Sequence, residues 1–134
     1  MFWRIYPLAI ALGVAAGSGV LVLASTLGLL LFSSGDADVR SVVIAEHSGF
    51  QIVSLLGSVA SPFAAGWVAA QFALGEELIN ASFTGMLLAA FGVAGYLGPQ
   101  IDDLRSWVDL LAFGLALPLS AIGGLLYRGR TSSA

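Results

Sequence analysis

The sequence predicts an all-α membrane protein, a compact bundle of four transmembrane helices, on three observations. The first is composition: 58% of the 134 residues are hydrophobic and only 10% are charged, against about 25% charged in an average soluble domain. Too few ionic groups remain to coat a surface facing water. The second is distribution. No charge falls between Arg4 and Asp36, Glu46 and Glu76, Glu77 and Asp102, or Asp109 and Arg128. Each gap exceeds or nearly matches the roughly 20 apolar residues that cross a hydrocarbon core about 30 Å thick. The third is aromatic placement. On this reading Trp3, Tyr6, Trp67 and Tyr127 fall near one membrane face and Phe50, Tyr96 and Trp107 near the other, where an interfacial belt places them. A chain of this length makes one domain, residues 1–134.

Taken in order, the first helix is expected over about residues 5–32, with Pro7 in its first turn, where a missing N–H costs nothing. Arg4 and the apolar run after it imitate a signal peptide, and Val22-Leu23-Ala24 imitates a cleavage site. The run continues through Leu31 and Phe32, past an ordinary signal core of about 7–15 residues, so a retained helix is the reading. A polar outer loop over about 33–49 opens with the turn-forming Ser33-Ser34-Gly35-Asp36. Within it Val39, Val42 and Val43 repeat at helical spacing, which suggests a short amphipathic helix on the membrane surface. The second helix is expected over about 50–74, closed by Gly75. Only Gly75, Glu76 and Glu77 then precede the third, about 78–97, so the two form an antiparallel hairpin. Gly98-Pro99 stops the third helix, and the fourth is expected over about 107–127.

Close packing between helices in lipid requires small residues on one stripe, and every span carries one at four-residue spacing. The first has Ala9, Gly13 and Gly17; the second Gly57, Ser61, Ala65 and Ala69, with Gly66 beside them. The third has Ala81, Gly85 and Ala89; the fourth Ala112, Ala116, Ser120 and Gly124. Pro62 and Pro118 lie inside helices and are expected to kink them; serines near Pro62 can take up freed carbonyls.

Arginine alone sets orientation, because Asp and Glu contribute little. With both termini cytoplasmic, Arg4, Arg128 and Arg130 lie inside and Arg40 and Arg105 outside, and the outer loops are acidic. The net charge of −3 and the absence of lysine argue against nucleic acid as a partner. The expected partners are the lipid bilayer and other membrane helices, of the same chain or of a larger complex.

Cysteine is absent, which excludes disulfides, thiolate metal sites and thiol nucleophiles. Asp109 is an ionisable group at a span and so a candidate ion or proton site. Ser106-Trp107-Val108-Asp109 also reads as a capping box, with the acid at the positive end of the helix dipole. His47 stands beside Glu46; one imidazole cannot build a conventional zinc or two-histidine haem site, so it reads as a solvated loop residue. Gln51, Gln71 and Asn80 lie near helix ends, where water is available and no protein partner is needed. No cofactor is expected. Neither a Gly-x-Ser-x-Gly elbow, a His-Glu-x-x-His pair nor a phosphate loop is present, and an enzyme is not expected.

The stretch Ser61-Pro62-Phe63-Ala64-Ala65-Gly66-Trp67-Val68-Ala69-Ala70-Gln71, followed by Gly75-Glu76-Glu77 and Asn80, resembles a pattern in small bacterial four-helix membrane proteins. In these a Gly-aromatic-Val-Ala stretch ends the second helix before a short polar turn. The resemblance implies a four-span bundle in a bacterial inner membrane and no established activity. Two functional readings follow. The first is a non-enzymatic protein acting through helix–helix contacts, as an accessory subunit or a homo-oligomer. The alternative is a small transporter or channel for a cation or small solute, with a pathway past Asp109, Asn80, Pro62 and Pro118.

Overall fold

Long apolar runs without interior charge satisfy every backbone group within one segment only as helices. In the computed structural model, residues 4–32, 48–97 and 107–132 are described. Among them the chain forms four helices: α1 (Pro7–Phe32), α2 (Ser48–Gln71), α3 (Glu77–Leu97) and α4 (Trp107–Ser132). All four are long and apolar enough to cross a membrane. The surface helix expected within the outer loop, the Gly98-Pro99 stop, Trp3, Glu46 and His47 lie outside the described residues. So do the side chains of Tyr96, Trp107 and Asp109.

The helix ends depart from the sequence-based bounds for local reasons. α1 starts at Pro7, two residues later than expected, and the Ile10 amide bonds the Tyr6 carbonyl at 3.1 Å to close its first turn. α2 stops at Gln71, short of residue 74. Its last turn tightens: Phe72 N–H donates to the Ala69 carbonyl and Ala73 N–H to the Ala70 carbonyl, both at 3.3 Å. Leu74 (φ 23°) and Gly75 (φ 91°) then take left-handed backbone conformations; glycine tolerates this freely and leucine does not. α3 starts at Glu77, whose carboxylate accepts from the Gly75 N–H at 3.1 Å and stands at the positive end of the helix dipole. α4 runs on past Tyr127 to Ser132, with Arg130 in its last turn, where a cation complements the dipole. Helix continues without a break through both Pro62 and Pro118.

Packing is inverted relative to a water-soluble protein. The largest fully buried side chains are Asn80, Thr84, Ser61 and Ser120, and the buried apolar set is mostly alanine. Leucines form the outside: Leu8 is 69% exposed, Leu23 71% and Leu30 76%. A soluble fold puts large aliphatic groups in and polar ones out, and an apolar surface this extensive would aggregate in water. Lipid tails are the solvent in which small residues inside and leucines outside is the stable arrangement. The chain is a multi-pass integral membrane protein.

α2 packs extensively on both α1 and α4, α4 packs on α3 to a similar extent, and smaller α2–α3 and α1–α3 contacts complete the bundle; among the described residues the α1 and α4 backbones do not approach each other. The glycine contacts that cross from α1 or α2 to α3 or α4 lie in the half nearer the α2–α3 turn. There Gly13 of α1 meets Ala65, Ala69 and Thr84, Gly66 of α2 meets Ser120, and Gly123 of α4 meets Phe63. Toward the other end the glycine contacts stay within two pairs, α1 with α2 and α3 with α4: Gly57 meets Ala24, Gly28 meets Phe50, and Gly92 meets Phe113. The pairs part in that half.

Candidate functional site

Two features of the interior could carry function: a buried polar seam, and the cleft where the pairs part. The seam begins at Asn80, one turn into α3 and fully buried. Its Oδ1 accepts from the Tyr6 N–H at 2.8 Å. Its Nδ2 donates to the Arg4 carbonyl at 3.2 Å and to the Glu76 carbonyl at 2.9 Å. One amide thus ties the segment before α1 to the start of α3, 74 residues away. The expectation that water is available to Asn80, so that it needs no protein partner, is corrected: the side chain is fully buried and bonds to backbone groups of Arg4, Tyr6 and Glu76.

Along α3 the seam continues with Thr84, whose hydroxyl donates to the Asn80 carbonyl at 2.8 Å. Ser120 of α4 donates across the helix interface to the Ala81 carbonyl at 2.6 Å. Small neighbours allow that approach. A methyl group added to Gly85 would stand 2.7 Å from Ser120 Cβ and 2.8 Å from the Ala116 carbonyl oxygen, and one on Gly124 2.6 Å from Ala81 Cβ. One on Gly66 would collide with the Ser120 carbonyl. Among the described residues no buried side-chain nitrogen or oxygen lacks a hydrogen-bond partner. Each polar side chain of the seam is thus already held by the protein's own backbone.

Gly13, Gly17, Gly57, Ser61, Gly66, Gly85, Ala116, Ser120 and Gly124 are all buried. Gly17 lies 2.9 Å, by the same measure, from Ala65 Cβ and 3.1 Å from Leu88 Cδ1. Asp109 is placed in the first turn of α4 by its backbone; its side chain is outside the described residues. Near the α2–α3 turn Trp67 meets Tyr127 edge-on, with ring centroids 5.7 Å apart. Phe63 stacks behind Trp67 at 6.4 Å. Phe50, in the first turn of α2, is buried against Gly28.

The cleft is a cavity of about 450 Å³ with walls from all four helices. Val14 and Ser18 come from α1, Ser58 and Pro62 from α2, Phe91 from α3 and Phe113 from α4. A shallower groove between α1 and α3, about 550 Å³, runs alongside, and Val14 and Phe91 line both. The signal for the cleft in sequence is faint: Ser18, Ser58 and Pro62 read only as ordinary components of spans until the pairs are seen to diverge there.

No family model, no curated protein and no solved structure matches this chain.

Proposed function

We propose that this chain is a non-enzymatic membrane protein that acts through helix–helix contacts, as an accessory subunit of a larger complex or as a homo-oligomer. The setting we propose is a bacterial inner membrane, with both termini cytoplasmic. One observation carries the reading. The stripe Ala9-Gly13-Gly17 of α1 is used inside the bundle, but a second small-residue stripe, Ala11-Ala15-Gly19, lies exposed on another side of the same helix. A side chain added at Gly19 would meet nothing within 4 Å. Small residues on a lipid-facing side let another backbone approach closely, which is how membrane helices associate. A face meant only for lipid tails has no need of them.

The transporter alternative loses support at Asn80. Both ends of its amide are engaged by backbone groups, which suits a fastener of the bundle better than a group lining an ion path.

Because cysteine is absent, single cysteines at Ala15 or Gly19 report contacts without background. Oxidative or bismaleimide cross-linking in native membranes should yield a discrete product, a dimer or an adduct with one partner. Leu8→Cys and Leu30→Cys should yield less. A chain that stays monomeric at all four positions, and elutes alone from mild detergent, would overturn the proposal.

A further inference from the structure

We infer that the cleft between the two helix pairs is a binding site for one hydrocarbon chain of a membrane lipid. Depth is the first ground. Val14 and Leu21 bound the α1 wall, roughly 10 Å from the start of that helix and 16 Å from its end at 1.5 Å per residue. The cavity thus lies within the hydrocarbon core.

Size and lining are the second. At about 450 Å³ the cleft falls within the range of ligand sites, about 300–1,000 Å³, and far above a packing defect. Water needs two to four polar partners per molecule. The walls supply hydroxyls only from Ser18, Ser58 and Ser61, too few for a cluster of waters filling that volume. Serines in membrane helices also turn to their own backbone. An extended alkyl chain asks for no hydrogen bond and meets Val14, Leu88, Phe91 and Phe113.

Access is the third. The groove between α1 and α3 is walled by Ile5, Pro7, Ile10, Ala11, Ala15 and Leu87, and it shares Val14 and Phe91 with the cleft. Phe91 is 64% exposed, at the boundary between bulk lipid and the interior. A chain lying in the groove enters by passing these two side chains. Ala11 and Ala15, which wall the groove, also belong to the exposed small-residue stripe of α1, so a helix docked on that stripe would narrow this entry.

The test uses the full-length chain reconstituted in phosphatidylcholine vesicles carrying a trace of phosphatidylcholine with a mid-chain diazirine. After irradiation, mapped adducts should include Leu88, Phe113 or Ala116 as well as outward residues such as Leu23 and Leu30. Ser58→Phe and, separately, Ala112→Leu should cut the interior adducts several-fold and leave the outward ones unchanged. Wild-type adducts confined to outward residues would overturn the inference whether or not the variants fold. So would labelling of Ser58→Cys by a membrane-impermeant thiol reagent, because it would show a water-filled crevice.

Discussion

Asn80 makes three hydrogen bonds to backbone groups in a region where water cannot replace them. Individual hydrogen bonds between membrane helices average about 0.6 kcal/mol, because the unfolded chain in the membrane also finds partners. Removing a partner so that a buried donor is orphaned costs more, about 1–3 kcal/mol. Asn80→Ala orphans the Tyr6 N–H and should lower unfolding free energy by about that amount, read by denaturing-detergent titration in mixed micelles. Asn80→Asp keeps the acceptor but replaces the amide donor with a group facing the Arg4 and Glu76 carbonyls, so it should be no better than alanine. Unchanged stability in both variants would show that the segment before α1 is held by other means. In the sequence Asn80 can be placed near a helix end and no further. That the segment before α1 returns to bond it is a contact across 74 positions, and no local pattern encodes it.

Helices pair here where backbones can approach, and the glycines show which surfaces do. Gly17 and Ala65 face each other across α1 and α2, whereas Ser18 and Ala116 stand on opposite walls of the cleft. The double variant Gly17→Cys/Ala65→Cys should therefore form an intrachain disulfide in membranes under mild oxidation. Ser18→Cys/Ala116→Cys should not, because the α1 and α4 backbones do not approach each other among the described residues and disulfides need Cα atoms within about 7 Å. The reverse pattern, scored by thiol titration, would refute this arrangement of α1, α2 and α4. Four spans and their approximate bounds were legible because hydropathy and charge spacing are local properties. Ends were less so: the early stop of α2 depends on tightened turns and a left-handed Leu74. α4 likewise runs past the expected residue 127 to Ser132 and carries Arg130 in its last turn.

For the molecule as a whole, the inverted surface makes an unusual demand. In a soluble protein, replacing an exposed leucine usually changes stability by less than about 0.5 kcal/mol. Leu23 is 71% exposed, yet it lies near the middle of α1, where an arginine costs about 2.5–3.5 kcal/mol to insert. Leu23→Arg should reduce the fraction of chain resisting alkaline carbonate extraction from membranes, while Leu23→Phe should not. Equal resistance of the two would mean that this face of α1 meets water or protein instead of lipid.

The amino-acid order by itself determined the solvent, because charge-free stretches of membrane length leave no alternative to insertion. It determined the helix count and the small-residue stripes for the same reason: each depends on residues within a few turns of one another. Tertiary structure alone decided which stripe meets which, that Asn80 is a fastener, and that the pairs separate to leave a cleft. Those outcomes turn on the angles at which helices cross. Steric contact between residues far apart in the chain sets these angles, and periodicity within one helix carries no record of them.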